Sequence, residues 1–307
     1  MPHRLFLPDD HGAETAPHSA YKWRMAALAS PASTVVLLRN EGQGLEVFLV
    51  RRHDAAAFMG GAHVFAGGRV EPSDADARWL TITDGIPLAT DLMPDVTIDA
   101  ALAFHVAAVR ETFEEAGVLL AHDTEGGMVS LASWDETELL RQRHAIASDS
   151  TRLFELVQSR RWRLAADAIV YFANWVTPAI EARRFDTRFF LAAVPAGQVP
   201  AHDAAETTDG EWLRPGDAIA RCRAGRLALP PPTWTTLRWL EPFSDVASAL
   251  AWGRQQRIPR IEPGFIQQGE TRMVTLPGDP TMPDVDGFEA KETRFLLDGG
   301  RWKPVSS

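Results

Sequence analysis

Cysteine is nearly absent from this chain of 307 residues, which contains Cys222 alone. A single thiol excludes an intramolecular disulfide framework, and it also excludes a zinc site built on several cysteines. We interpret Cys222 as a small apolar side chain rather than as a nucleophile, because an isolated cysteine more often packs than reacts.

Long apolar runs are missing as well. No stretch of the sequence approaches the roughly 18 apolar residues that a membrane-spanning helix requires. The first residues include Asp9, Asp10 and Glu14 but no apolar segment of the kind that a secretory signal carries. The last residues match neither a peroxisomal address nor a prenylation motif. We therefore expect no membrane association and a cytoplasmic location.

Basic residues are outnumbered by acidic ones, 31 against 41, which gives a formal net charge of -10. A negative surface repels a phosphate backbone, so we expect no nucleic-acid partner. A small anionic substrate held through metal ions is not excluded. The sequence also lacks the Gly-x-Ser-x-Gly, His-Glu-x-x-His and P-loop signatures, which removes the usual motifs of serine hydrolases, zinc proteases and P-loop nucleotidases.

Residues 110–117 place three acids on one side of a helix end, where Gly117 is the expected stop. With about 100° of rotation per residue, Glu111, Glu114 and Glu115 fall within one arc opposite the apolar face. Like charges at this spacing repel at a cost of a few tenths of a kcal/mol. Acids at a C-terminal end also interact unfavourably with the helix dipole, at a cost of about 0.3 to 1 kcal/mol. A hard divalent cation such as Mg²⁺ would remove both penalties. The alternative interpretation is a solvated acidic helix face.

Strand and helix signals alternate along the chain, which indicates a mixed α/β fold. A hairpin is expected from residues 33–39 and 45–52, and a short strand at 63–66 should enter a glycine loop. The acidic helix should begin near Asp99. The remaining expected elements are a strand at 118–120, two helices within 135–163, strands at 168–178, 185–194 and 211–213, a helix from 215, helical residues at 233–256, and short strands between 260 and 304.

The glycine loop and the acidic helix end together resemble the Nudix box, Gly-x5-Glu-x7-Arg-Glu-U-x-Glu-Glu-x-Gly-U, where U is a bulky aliphatic residue. The matching residues are Gly68, Arg110, Glu111, Glu114, Glu115, Gly117 and Val118. Asp74 stands where the pattern has its first glutamate, and Thr112 replaces the aliphatic residue after Arg-Glu. Asp74 precedes Arg110 by 36 positions instead of 8, so about 28 residues interrupt the box.

An interrupted box is typical of the Nudix branch related to the peroxisomal coenzyme A diphosphatases, which residues 174–178, 183–190 and 211–215 also resemble. The resemblance extends over roughly residues 30–240. It implies an α/β/α sandwich with a mixed sheet. We expect a lead-in at 1–30, a Nudix hydrolase domain at 31–229 with an insertion at about 75–100, and a C-terminal extension of helices and strands at 230–307 packed on that domain.

The resemblance also implies roles for individual residues. Glu111, Glu114 and Glu115, with Gly68, become the ligands of Mg²⁺ or Mn²⁺, and Gly67, Asp74 and Arg110 support them. The general base would be Glu114 or the more distant Glu206. Arginines bind phosphates well, and the candidates for substrate binding are Arg51, Arg69 and Arg184, chosen from a set that also includes Arg52 and Arg188.

These expectations converge on a metal-dependent hydrolase that cleaves the diphosphate bond of a nucleoside diphosphate conjugate, with coenzyme A or acyl-coenzyme A as the first substrate. Two alternatives stay open. The same chemistry could act on ADP-ribose or a dinucleotide, or the chain could be a non-catalytic Nudix-fold regulator that binds a nucleotide. The three intact glutamates favour an enzyme, whereas Asp74 and Thr112 depart from the pattern. A homodimer is a further expectation.

Overall fold

A computed structural model describes residues 28–42, 44–54, 59–86, 93–203 and 207–305. The strands are β1 (Ser30–Glu41), β2 (Gly44–Arg52), β3 (His63–Val64), β4 (Ala66–Arg69), β5 (Thr83–Asp84), β6 (Ala121–His122), β7 (Arg163–Ala165), β8 (Ile169–Val176), β9 (Phe185–Ala193), β10 (Thr207–Leu213), β11 (Arg260–Ile261), β12 (Gly264–Gln268), β13 (Thr271–Thr275), β14 (Arg294–Asp298) and β15 (Arg301–Pro304). The helices are α1 (Ile98–Ala116), α2 (Glu136–Ser148), α3 (Arg152–Ser159), α4 (Pro215–Arg223), α5 (Pro231–Leu240) and α6 (Val246–Gly253).

The largest sheet has the order β10-β2-β1-β9-β8-β11, with β3 beside β2 and β4 beside β1. Strand β1 forms the expected hairpin with β2, in which Leu38 lies opposite Val47. The first half of β1 pairs with β4, and its other edge pairs in parallel with β9. The sheet is therefore mixed, as the sequence predicts.

Successive residues of β1 point to opposite faces of this sheet, since side chains alternate along a strand. Val35 and Leu37 belong to a core that includes α1, whereas Val36 and Leu38 belong to a second core that includes residues of α4, α5 and α6. Helices thus cover both faces, and the α/β/α sandwich is confirmed. No helix within the described ranges is long and apolar enough to cross a bilayer.

Helix α1 carries the acidic end. It begins after Thr97, whose Oγ1 accepts a hydrogen bond from the backbone N–H of Ala100 at 3.3 Å. The expectation that Asp99 caps the helix is wrong, and Asp99 lies in the first turn instead. The expected stop is confirmed, because Gly117 adopts φ 68° and its N–H bonds back to Phe113.

The residues that interrupt the box fold against the core. Short 3-10 turns span Pro72–Ala75 and Ala77–Thr81, and β5 joins a small sheet with β7 and β6. Trp79 is 2% exposed and its ring meets that of Phe154 edge-on at 5.0 Å. The described part of the insertion is therefore packed structure, and residues 87–92 lie outside the described ranges.

Residues 118–120 do not form the expected strand, although they are buried. The side chain of Gln198 hydrogen-bonds the backbone of Leu119. Its Oε1 accepts from the N–H of Leu119 at 2.8 Å, and its Nε2 donates to the carbonyls of Leu119 and Val129. The carbonyl of Leu120 accepts from the N–H of Ala165 in β7 at 3.1 Å. The buried run is therefore hydrogen-bonded by a side chain and by one strand residue, without forming a strand itself.

The C-terminal residues form a separate sheet of their own, with the order β12-β13-β14-β15. Strand β11 instead joins the large sheet beside β8. Val274 of β13 and Phe295 of β14 belong to the same core as α4, α5 and α6. The C-terminal sheet therefore packs on the helical layer of that face.

Candidate active site

Gly67 and Gly68 lie within β4 rather than in a loop, so that expectation is wrong. Gly67 is opposite Thr34 of β1, and Gly68 is opposite the preceding residue of β1, Ser33. The backbone N–H of Gly67 donates to Glu115 Oε2 at 2.9 Å. A Cβ atom on Gly68 would stand only 2.4 Å from Glu111 Oε1. The two halves of the interrupted motif thus meet in space, and glycine is needed because the helix carboxylates approach the strand backbone closely.

The Glu111 carboxylate is held out of water, with a side chain 12% exposed. Burial raises its pKa to about 7, and the nearby Glu114 carboxylate adds to this rise while Arg110 opposes it. A carboxyl group in this state is short of positive charge. Together Glu111, Glu114 and Glu115 offer only oxygen atoms, which is the donor chemistry that hard divalent cations prefer.

Arg110 is the centre of the hydrogen-bond network. Its Nε and Nη2 donate to the two oxygens of Asp74, both at 3.0 Å, and Nη2 also donates to the carbonyl of Arg69 at 2.7 Å. Its Nη1 donates to Glu111 Oε1 at 2.9 Å and to Glu114 Oε1 at 3.1 Å. Burial lowers the pKa of Arg110, but the surrounding carboxylates outweigh this effect and the net pKa is raised.

Asp74 and Thr112, the two departures from the Nudix pattern, are both accommodated. Asp74 is 1% exposed, and burial raises its pKa although Arg110 opposes the rise. Its Oδ2 also accepts from the N–H of Glu71, so it fixes the turn that follows β4. Thr112 is fully buried and its Oγ1 donates to the carbonyl of Ala108 at 2.6 Å. A hydroxyl can therefore occupy the aliphatic position without an unpaired donor.

Arg143 of α2 supports the same helix end, and no sequence signal points to it beyond an arginine-rich helical region. It is 2% exposed, and its Nε donates to the carbonyl of Glu114 at 3.0 Å. This buried cation, bound to a carbonyl in the last turn of α1, compensates the negative end of the helix dipole, which the neighbouring acids make more negative.

A cavity of about 1080 Å³ opens beside these carboxylates. Its polar end is lined by Gly67, Gly68, Arg69, Arg110, Glu111, Glu114 and Glu115. Arg52 and Arg183 also line it. Two of the arginines expected at the substrate do not: Arg51 bonds Asp54 and Thr208, and Arg184 bonds Glu262 and the carbonyl of Thr177.

Arg52 differs from its neighbour Arg51 because alternate residues of β2 face opposite sides. Its Nε is shielded from solvent and has no hydrogen-bond partner within the described ranges. Glu206, the more distant candidate base, lies outside the described residues. The described side chains do not form a group of three or more Asp, Glu, His or Cys residues placed to hold a metal ion. The metal assignment therefore rests on donor chemistry and on the buried charge of Glu111.

Comparison with known proteins places this geometry in a family. A model described as the NUDT19 Nudix domain matches residues 87–240, half of the chain. Acyl-coenzyme A diphosphatase NUDT19 of Xenopus laevis is 27% identical over 285 residues, which cover 81% of this chain and 75% of that protein. The human protein of the same name is 27% identical over 326 residues, covering 91% of this chain and 84% of that one.

A solved structure supports the same relationship. A Nudix hydrolase from Alicyclobacillus acidocaldarius superposes with a TM-score of 0.60 and 26% sequence identity, over 73% of this chain and 96% of that one. The family match contains all of α1 and its acids, whereas β4 with Gly67 and Gly68 precedes it. The strand that completes the site is therefore identified by its contacts with α1.

Proposed function

Because the chain belongs to the Nudix hydrolase family, in the branch described as the NUDT19 Nudix domain, we propose that it hydrolyses the diphosphate bond of coenzyme A or of an acyl-coenzyme A. The observation that carries the proposal is the approach of Glu111 and Glu115 to the backbone of β4 at one end of a large cavity. Relatives that cover most of the chain bear the name acyl-coenzyme A diphosphatase, which supports the choice of substrate.

Nudix hydrolases generally use divalent metal ions, and we propose Mg²⁺ or Mn²⁺ for this one. The ligands would be Glu111, Glu114 and Glu115, with the backbone at Gly68. When bound, the cation would neutralise charge on the diphosphate oxygens. The raised pKa of Glu111 supports this assignment, since a nearby cation would favour its ionised form.

The protein's own side chains would position the reactants. The N–H of Gly67 fixes Glu115, and Arg110 fixes Glu111 and Glu114. A water molecule attacks one phosphorus of the diphosphate, the bridging P–O bond breaks, and a carboxylate takes the proton of the water. We propose Glu114 for that carboxylate, with Glu206 as the other candidate. From coenzyme A the products are 3′,5′-ADP and 4′-phosphopantetheine.

Arginines in the cavity would bind the substrate phosphates. Arg69, one of the expected residues, lines the cavity beside Gly68. We add Arg52, because it lines the cavity and its buried Nε has no hydrogen-bond partner among the described residues. Arg51 and Arg184 make ion pairs within the protein instead, so we propose structural roles for both.

The proposal is tested by assaying the full chain with Mg²⁺ and with Mn²⁺ on coenzyme A, acyl-coenzyme A, ADP-ribose, NADH and nucleoside triphosphates. We expect metal-dependent release of 3′,5′-ADP from the coenzyme A substrates, reduced at least 100-fold by Glu115→Gln. Glu125→Gln, in an exposed turn, is the matched control. Hydrolysis that survives Glu115→Gln unchanged would contradict the site. Hydrolysis of triphosphates alone would contradict the branch, and tight nucleotide binding without turnover would favour a regulator.

We further propose that the protein works in the cytoplasm on a small nucleotide-type substrate, without a nucleic-acid partner, and as a homodimer. The net charge of -10 supports the absence of a nucleic-acid partner. Light scattering coupled to size-exclusion chromatography would measure the mass in solution, and a mass near 33.8 kDa would contradict the dimer.

A further inference from the structure

The C-terminal sheet presents an apolar face to the cavity. Leu297 of β14 and Trp302 of β15 lie directly opposite each other across the two strands. Both line the cavity, and both are partly exposed. Val274 of β13 lines it as well. One wall of the cavity is therefore made of apolar side chains from three neighbouring strands.

The large sheet supplies the facing apolar surface. Trp175 of β8, with Phe185 and Phe189 of β9, lines the same cavity. Trp175 pairs in register with Thr187, which lies between the two phenylalanines along β9, so these side chains point to one face of the sheet. The cavity is consequently polar at the carboxylates and apolar between the two sheets.

This division of polarity predicts a ligand with two unlike halves. A volume of about 1080 Å³ is at the upper end of what drug-sized ligands fill, so there is room beyond a nucleoside diphosphate. ADP-ribose is polar at both ends and would leave the apolar walls facing hydroxyl groups. An acyl-pantetheine arm joined to a diphosphate would place its charge at the carboxylates and its hydrocarbon chain between the sheets.

We propose that the C-terminal sheet, through Leu297 and Trp302, binds the acyl chain of the substrate and makes the protein prefer acylated over free coenzyme A. This inference rests on the proposed function and names the substrate class of the same site. The family match ends at residue 240, so the residues that select the acyl group lie outside the matched segment.

The test is direct binding, which needs no turnover. Isothermal titration calorimetry on the full chain, with Mg²⁺ present, would measure the Kd of 4′-phosphopantetheine and of its S-butyryl, S-octanoyl and S-dodecanoyl derivatives. Each buried methylene adds about fourfold in affinity, so we expect Kd to fall as the acyl chain lengthens, until the cavity is filled. An affinity that does not change with acyl length would overturn the inference.

Leu297→Ala should weaken binding of the dodecanoyl compound by about tenfold while leaving 4′-phosphopantetheine within about twofold. Leu296→Ala is the matched control, because Leu296 is also partly exposed, sits on the same strand and pairs with Lys303 on the opposite face. Leu297→Met should restore binding, since it keeps the apolar volume. Equal losses in Leu297→Ala and Leu296→Ala would contradict the assignment.

The two proposals fail differently. Acyl-dependent binding without hydrolysis of any coenzyme A substrate would remove the proposed function and leave the acyl site standing. Hydrolysis of coenzyme A and dodecanoyl-coenzyme A with equal KM, unaltered by Leu297→Ala, would keep the proposed function and remove the acyl site.

Discussion

Arg110 holds the carboxylates of Asp74, Glu111 and Glu114 close together at the end of α1. A planar guanidinium has five donors in a fixed fork, and here they reach Asp74, Glu111, Glu114 and one backbone carbonyl. A lysine would supply one point charge and could not hold two carboxylates in defined orientations. The helix end is acidic at its surface, and this buried cation offsets part of its negative charge.

Removal of Asp74 should therefore destabilise the fold. Asp74→Ala leaves Arg110 buried with less compensating charge, and breaking a buried pair costs about 3 kcal/mol or more. Urea unfolding would measure the loss. Asp298→Ala is the control, because Asp298 pairs with Lys303 at the exposed surface and its loss should leave the unfolding midpoint nearly unchanged. Similar losses in both variants would show that burial is not what matters.

His105 should make stability depend on pH. It is 3% exposed, its Nδ1 donates to the carbonyl of Ala101 at 2.7 Å, and burial lowers its pKa to about 4. Between about pH 6.5 and 4 the unfolded state therefore binds more protons than the folded state, so stability falls as the pH drops through this window. The full loss is on the order of 3 kcal/mol.

His105→Leu should remove that part of the pH dependence. Urea unfolding of the wild type and the variant at several values between pH 7.5 and 4 would give the difference between their free energies of unfolding. That difference should change steadily through the window. The exposed His144, replaced in His144→Gln, should leave the wild-type profile unchanged. Parallel profiles for the wild type and His105→Leu would contradict the prediction.

At the scale of single elements, the two glycines of β4 leave space for two different neighbours, the backbone of β1 and the carboxylate of Glu111. A Cβ on Gly67 would meet the backbone carbonyl oxygen of Ser33 at 2.4 Å, whereas the three atoms nearest to a Cβ on Gly68 all belong to the carboxylate of Glu111. Gly67→Ala should therefore push strands apart. Gly68→Ala should displace a site residue, because the obstructing group is the end of a side chain.

These two substitutions should separate stability from activity. Gly67→Ala should lower the free energy of unfolding by about 2 kcal/mol through overpacking. Gly68→Ala should keep a midpoint close to that of the wild type and reduce kcat about 100-fold, since a misplaced ligand costs about that much. Unfolding curves and kinetics on the same samples would decide. Equal stability losses, or full activity in Gly68→Ala, would contradict the model of the site.

The elements of the site were predictable from sequence to the extent that local rules govern them. The periodicity of α1 placed its acids on one face, and Gly117 marked its end, because both depend on neighbouring residues. The loop expected at Gly67 is a strand, and the strand expected at 118–120 is not formed, because the Gln198 side chain hydrogen-bonds the backbone of Leu119. Both outcomes depend on partners distant in the chain. The same limitation applies to Arg52, whose position depends on the face that β2 turns to the cavity.

At the scale of the whole molecule, residues on both sides of position 230 share one core. Val36 and Leu49 of the hairpin pack in the same cluster as Leu237 of α5 and Phe295 of the C-terminal sheet. Apolar surface on that face of the large sheet is covered by residues distant in sequence. The C-terminal residues therefore stabilise the fold of the large sheet as well as lining the cavity.

This shared core predicts that the chain unfolds in a single transition. Phe295 is fully buried and meets Trp234 of α5 edge-on, with ring centroids 6.5 Å apart. Phe295→Ala should cost about 3 to 5 kcal/mol of the free energy of unfolding. The unfolding midpoints measured by far-ultraviolet circular dichroism and by tryptophan fluorescence should fall by the same amount, because both halves lose stability together. Lys303→Ala, on the exposed face of β15, should leave both curves unchanged. If the C-terminal sheet were an independent unit, Phe295→Ala would instead produce two separated transitions, with the loss of circular dichroism from the large sheet remaining at the wild-type denaturant concentration.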